Sequence, residues 1–75
     1  MKRNVLVELP VENILFYDVE SLTNEQIVKW VENYCNEEVI DCYDIKQKEI
    51  EYFIIDNRIQ ITQERESLIL KQIEL

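Results

Sequence analysis

The stretch LTNEQIVKWVENYC, residues 22–35, decides the fold. Thr23 followed three residues later by Gln26 is a capping-box pattern, in which each side chain satisfies a backbone N–H that the first helical turn leaves open. Leu22 before the cap and Ile27 inside it form a hydrophobic staple, which sets the angle at which the chain enters the helix. Ile27, Trp30, Val31, Tyr34 and Cys35 then recur at helical spacing and make one apolar face. Glu25 and Lys29, four apart and in the favourable order, can pair on the outer surface. The spacing predicts a helix over about 24–37.

On the N-terminal side, VLVEL (5–9) and ILFYDV (14–19) flank PVEN and predict a hairpin, with Pro10 in the turn where its missing N–H does no harm. Helical folding of 11–18 is the competing reading. On the C-terminal side, VIDCYDI (39–45), EIEYFIID (49–56) and RIQIT (58–62) read as strands. With Asp56 and Asn57 as a two-residue turn, Ile54 lies opposite Ile59 and Tyr52 opposite Ile61. That register gathers Ile50, Tyr52, Ile54, Ile59 and Ile61 on one face. Phe53 and Ile55 pass to the other face, where the C-terminal segment or a second copy must cover them, a dimer being the preferred cover. The tail QERESLILKQIEL (63–75) is rich in helix formers, yet Leu68 to Leu70 with Ile73 and Leu75 make no single helical stripe. Strand and helix both stay open there.

The expected architecture is therefore α+β: one helix packed on a mostly antiparallel sheet of four to five strands, in the order β-β-α-β-β plus the unassigned tail. Residues 1–75 make one small domain, since domains usually need roughly 100 to 200 residues each.

Charge says more about function. Sixteen acids against eight bases give a net charge of −8, and the imbalance is local. Between Asn4 and Ile45 stand ten acids and one base, Lys29; from Lys46 onward there are six acids and five bases. A field of this sign repels nucleic acid and anionic membranes and attracts basic partners. Lys46, Lys48, Arg58, Arg65 and Lys71 near Tyr52 and Phe53 are read as offsetting neighbouring acids rather than as a nucleic-acid patch.

The chain has no glycine and no histidine. That excludes glycine-rich phosphate loops and the glycine nucleophile elbow, and removes the commonest general base and metal ligand. Cys35 and Cys42 are the only cysteines; their C-x6-C spacing is not a C-x-x-C redox motif, and with no histidine they cannot complete a four-ligand zinc site within one chain, although a dimer could supply four thiolates. They are expected to be structural thiols. Glu37, Glu38, Asp41 and Asp44 carry oxygens that suit a divalent cation, but they straddle a helix end and a strand. No metal, no cofactor and no enzymatic activity is expected. No apolar run approaches the ~18 residues of a membrane span, and MKRNVLVELP does not read as a signal peptide, so the expected location is cytoplasmic.

The expected function is a small acidic, non-enzymatic protein–protein binding module that covers a basic surface on a partner protein. Glu37, Glu38, Asp41 and Asp44 would form its acidic binding surface, extended by Glu8, Glu12, Asp18, Glu20 and Glu25, with Phe53 and Ile55 as an apolar contact. In size and charge the chain resembles the small acidic inhibitors of nucleic-acid enzymes encoded by phages and mobile elements. That resemblance implies imitation of nucleic-acid charge, an anti-defence role among its uses. The alternative is a homo-oligomeric structural or regulatory subunit whose charge serves solubility only.

Overall fold

The computed structural model of the chain describes residues 2–50 and 63–74. Its elements run β1 (Arg3–Glu8), β2 (Asn13–Val19), α1 (Asn24–Cys35), β3 (Asp41–Asp44), α2 (Gln47–Ile50) and α3 (Gln63–Glu74). Among the described residues the sheet has three strands in the order β2-β1-β3, both pairings antiparallel.

The hairpin forms where the sequence places it. Leu9 N donates to Glu12 O at 2.9 Å, closing a tight turn with Pro10 at its first central position, where the ring's fixed φ is pre-set for a turn. Further along β2 the register slips by one residue: Arg3 pairs with Val19, but Val5 pairs with Phe16. Asp18 absorbs the slip at φ 54, and its N–H donates to Asn4 Oδ1 at 3.2 Å. This bulge decides what enters the core. Strict alternation from Ile14 and Phe16 would bury Asp18; the extra residue leaves Asp18 exposed and buries Val19 instead.

Val5, Leu6 and Val7 are all fully buried, as are Leu15 and Phe16. Consecutive buried residues mean that both faces of the sheet are covered. On one face Val5, Val7, Ile14, Phe16 and Val19 pack with Ile27 and Val31 of α1 and Ile69 of α3. On the other, Leu6 and Leu15 pack with Ile45, beside Tyr17, Tyr43 and Ile50.

The capping box of α1 is present in full: Gln26 N donates to Thr23 Oγ1 at 3.2 Å, and Thr23 N to Gln26 Oε1 at 2.9 Å. The helix stops at Cys35, two residues before the expected 37, because Asn36 turns left-handed at φ 53. Glycine usually fills that position; with none in the chain, asparagine is the residue that tolerates it best.

The expected four to five strands are corrected by this structure. β3 is shorter than the predicted 39–45, and the segment expected to open the next strand at 49 is instead the single turn α2. Gln47, Lys48 and Glu49 are good helix formers, and the turn carries Ile50 against the Leu6–Leu15 cluster. The tail is a helix. Its buried stripe is Glu66 and Ile69, continued by half-buried Leu70 and Ile73 at i, i+3, i+4 and i+7. The expected hairpin over 49–62, with Phe53 and Ile55, lies beyond Ile50 outside the described residues.

Glu66 is the buried polar side chain among the described residues, 3% exposed. Its carboxylate accepts from the N–H groups of Glu20 (3.0 Å), Ser21 and Leu22 (2.5 Å), which fastens α3 to the connection between β2 and α1. Arg3 holds the same connection from the other side. Its Nη2 donates to Leu22 O at 2.5 Å, and its Nη1 to Asn24 Oδ1 at 2.5 Å and Asp44 Oδ1 at 2.6 Å.

Candidate functional site

Antiparallel pairing of β3 with β1 brings distant acids to one end of the sheet. Glu8 lies opposite Asn13 on one side and Asp41 on the other, and Ile40 N donates to Glu8 O at 2.8 Å. The turn after β1 carries Glu12, and the connection from α1 into β3 carries Glu37 and Glu38. Residues 8–13 and 36–41 thus place Glu8, Glu12, Glu37, Glu38 and Asp41 about this end, with no lysine or arginine in either segment. Glu37, Glu38 and Asp41 are exposed; Glu8 and Glu12 are half-buried. Glu8 Oε1 accepts from the Tyr43 hydroxyl at 3.0 Å.

Asp44, expected in the same surface, sits at the opposite end of β3. It is exposed, and its carboxylate is paired with Arg3 at 2.6 Å. Of the four acids singled out in the sequence, three therefore share the hairpin end and the fourth is locally neutralised elsewhere. Asp18 and Glu20 also lie away from the hairpin end, near the bulge. Lys46 and Lys48 follow Asp44 in the chain, so the two ends of the sheet differ in charge.

A groove of about 510 Å³ runs between the outer side of α1 and β3, lined among others by Glu25, Val28, Glu32, Val39, Asp41 and Cys42. Glu32 was not singled out in the sequence. Its Oε2 accepts from Val39 N at 3.1 Å across seven residues, a spacing that no local rule flags. On the far side of α1 a second groove of about 400 Å³ is lined by Lys29, Trp30, Asn33, Tyr34, Gln72 and Ile73. There Trp30 stacks on Tyr34 (centroids 4.9 Å, 21°) and meets Phe16 edge-on at 6.3 Å. Tyr34, expected on the apolar face of the helix, is 65% exposed at its rim.

Both cysteines are half-buried thiols outside any disulfide, and both pack against the main core cluster. Burial pushes the Cys42 thiol up to about 11; Arg3 opposes the shift, and Asp41 and Asp44 add to it. The Tyr43 phenol is likewise pushed up to about 12, by desolvation and then by its hydrogen bond to Glu8. A thiol held neutral at pH 7 is a weak nucleophile and a weak metal ligand. Among the described residues no three His, Cys, Asp or Glu side chains are grouped to hold a metal ion.

A pH dependence follows. Both groups are raised in the folded chain, so folding favours their neutral forms. That contribution is complete below the ordinary values of 9.0 and 10.0 and is lost as pH rises through about 11 and about 12. The urea midpoint is expected to hold between pH 7 and 9 and to fall above it. Alkylation of Cys42 at pH 7 is expected to run about tenfold slower than that of a free cysteine: the rise from 9.0 to about 11 cuts the thiolate fraction about a hundredfold, and the stronger nucleophilicity of the more basic thiolate returns about tenfold. Ordinary alkylation rates in the folded chain would contradict the buried placement of the thiol.

Comparisons with protein-family models, with curated proteins and with solved structures find no match. No helix among the described residues is long and apolar enough to cross a membrane.

Proposed function

We propose that the chain is a cytoplasmic, non-enzymatic binding module that covers the basic, nucleic-acid-binding surface of a partner protein. One observation carries this reading: Glu8, Glu12, Glu37, Glu38 and Asp41 come from two segments far apart in sequence, neither of which holds a lysine or arginine, and are brought about one end of the sheet. Charge spread for solubility alone has no need of such a gathering. An array of carboxylates offers a basic surface what a run of phosphates offers it, and competes for it on the same electrostatic terms. The resemblance in size and charge to inhibitors carried by phages and mobile elements points the same way.

The test is capture of the partner from host extract at low and high salt, followed by competition with the purified partner. A basic, nucleic-acid-handling protein is expected at low salt, lost steeply as salt rises because exposed charges are screened over about 8 Å at physiological ionic strength. Duplex or single-stranded nucleic acid is expected to displace the module. A partner that stays bound at high salt, or binds nucleic acid and module together, overturns the reading. Self-association indifferent to salt, with no such partner, would favour the homo-oligomeric alternative.

A further inference from the structure

Resting on that reading, we propose that the groove between α1 and the outer edge of β3 receives an extended, lysine- or arginine-bearing segment of the partner, which adds to β3 as a further strand. β3 is an edge strand among the described residues, with β1 on its inner side. Ile45 N donates inward to Asn4 O at 2.9 Å, so alternation along the ladder turns the N–H groups of Cys42 and Asp44 outward.

The outward donors at the groove are held by carboxylates. Asp41 Oδ1 accepts from Cys42 N at 2.8 Å, and Glu32 Oε2 accepts from Val39 N at 3.1 Å. The Asp41 carboxylate occupies the place that a carbonyl of an added strand would take at Cys42, and the Glu32 carboxylate holds the connection just before β3. An incoming segment exchanges its own carbonyl into that place. The released carboxylate of Asp41 and that of Glu32 then face the segment's cationic side chains, with Glu25 beside them. Val28, Val39 and Cys42 offer an apolar floor, the neutral Cys42 thiol behaving there as a small apolar group. Ile40, 65% exposed, stands at the rim. Among the described residues lining the groove, Lys29 is the one cation, against three carboxylates. Charge, floor and edge therefore specify one occupant, a basic segment in extended form whose alternate side chains are apolar.

The test titrates the full chain with a peptide of about eight alternating lysine and valine residues, read by amide NMR, beside the same peptide N-methylated on alternate residues. The peptide is expected to shift Val28, Glu32 and Val39 to Asp44 and to slow exchange at Cys42 and Asp44. N-methylation keeps charge and side chains but removes the strand's donors and is expected to weaken binding about tenfold for each bond lost. Val28→Arg, which puts a cation on the floor, is expected to abolish binding; the N-methylated peptide makes the same test on the unaltered chain. Equal binding of the two peptides overturns the proposal, and so does no binding at all. Shifts confined to Glu12, Glu37 and Glu38 overturn the groove but leave the acidic-surface reading standing. Shifts in the groove on raising the protein's own concentration assign it to a second copy and likewise overturn the proposal. The salt and nucleic-acid competition with the host partner tests the broader reading independently.

Discussion

Replacing Glu66 by alanine is expected to unfold the chain, or to bring its thermal midpoint down by more than about 15 °C. The carboxylate accepts from three successive backbone N–H groups, Glu20, Ser21 and Leu22, in a connection that water reaches poorly. A buried donor left without its acceptor costs about 1–3 kcal/mol. With Leu22 N buried and the other two partly so, the total loss is about 3–5 kcal/mol. A chain of 75 residues has roughly 4–11 kcal/mol of stability in all. For a domain of this size each kcal/mol moves the midpoint by about 4–8 °C. Glu66→Gln keeps one accepting oxygen but turns an amide N–H₂ toward donors, so its loss should fall between that of alanine and zero. Arg65→Ala, exposed and next door, should stay within about 0.5 kcal/mol. Denaturant midpoints of the three variants decide the matter; a Glu66→Ala midpoint matching that of Arg65→Ala would sink the tethering role.

The same residue shows why part of the fold was legible in the sequence and part was not. Helix α1 announces itself locally: Thr23, Gln26, Leu22 and Ile27 make its start, and the stripe through Val31 follows. Helix α3 hides because a carboxylate occupies one position of its buried stripe. Leu68, the apolar residue that blurs the pattern, is 58% exposed, whereas Glu66 is in the core. Counting hydrophobic residues cannot show that, since the backbone donors that make Glu66 suitable lie more than 40 residues away. The absence of glycine hid two other features. The left-handed turns at Asp18 and Asn36 that set the bulge and end α1 are carried by residues that are also ordinary surface residues.

The candidate site divides in the same way. Residue type and charge were readable; convergence was not, because it depends on β3 crossing α1 to pair with β1. That pairing sets Asp41 beside Glu8 and sends Asp44 to Arg3, 41 residues distant in the chain. No spacing rule separates those two aspartates, three residues apart on one short strand. The strand count failed for a related reason, since the chain winds into a helical turn over Gln47–Ile50, where a strand was expected to open at 49, and sets Ile50 beside the second core cluster.

This division also sets how the acidic surface should be challenged. Converting Glu37, Glu38 and Asp41 together to lysine is expected to weaken partner binding by on the order of a hundredfold at low salt. An exposed ion pair contributes about 0.2–1 kcal/mol, and reversal replaces attraction by repulsion, so three reversals cost about 3 kcal/mol. The comparison set must carry the same charge change without touching the fold. Glu66 cannot belong to it, because its carboxylate holds the β2–α1 connection. Asp44 cannot either, because a lysine there would confront Arg3. Glu20, exposed beside the bulge, and Glu64 and Glu74 of α3 belong to neither acidic segment, so they supply equal charge without entering the groove or the bulge. Reversing these three should cost less than about tenfold, through the long-range field alone. Binding measured by calorimetry at two salt concentrations separates the two contributions. The hairpin-end variant should lose both affinity and salt dependence, the other chiefly some affinity at low salt. Equal losses from the two sets would mean that the partner reads net charge, and that the gathering of Glu8, Glu12, Glu37, Glu38 and Asp41 has no part in recognition.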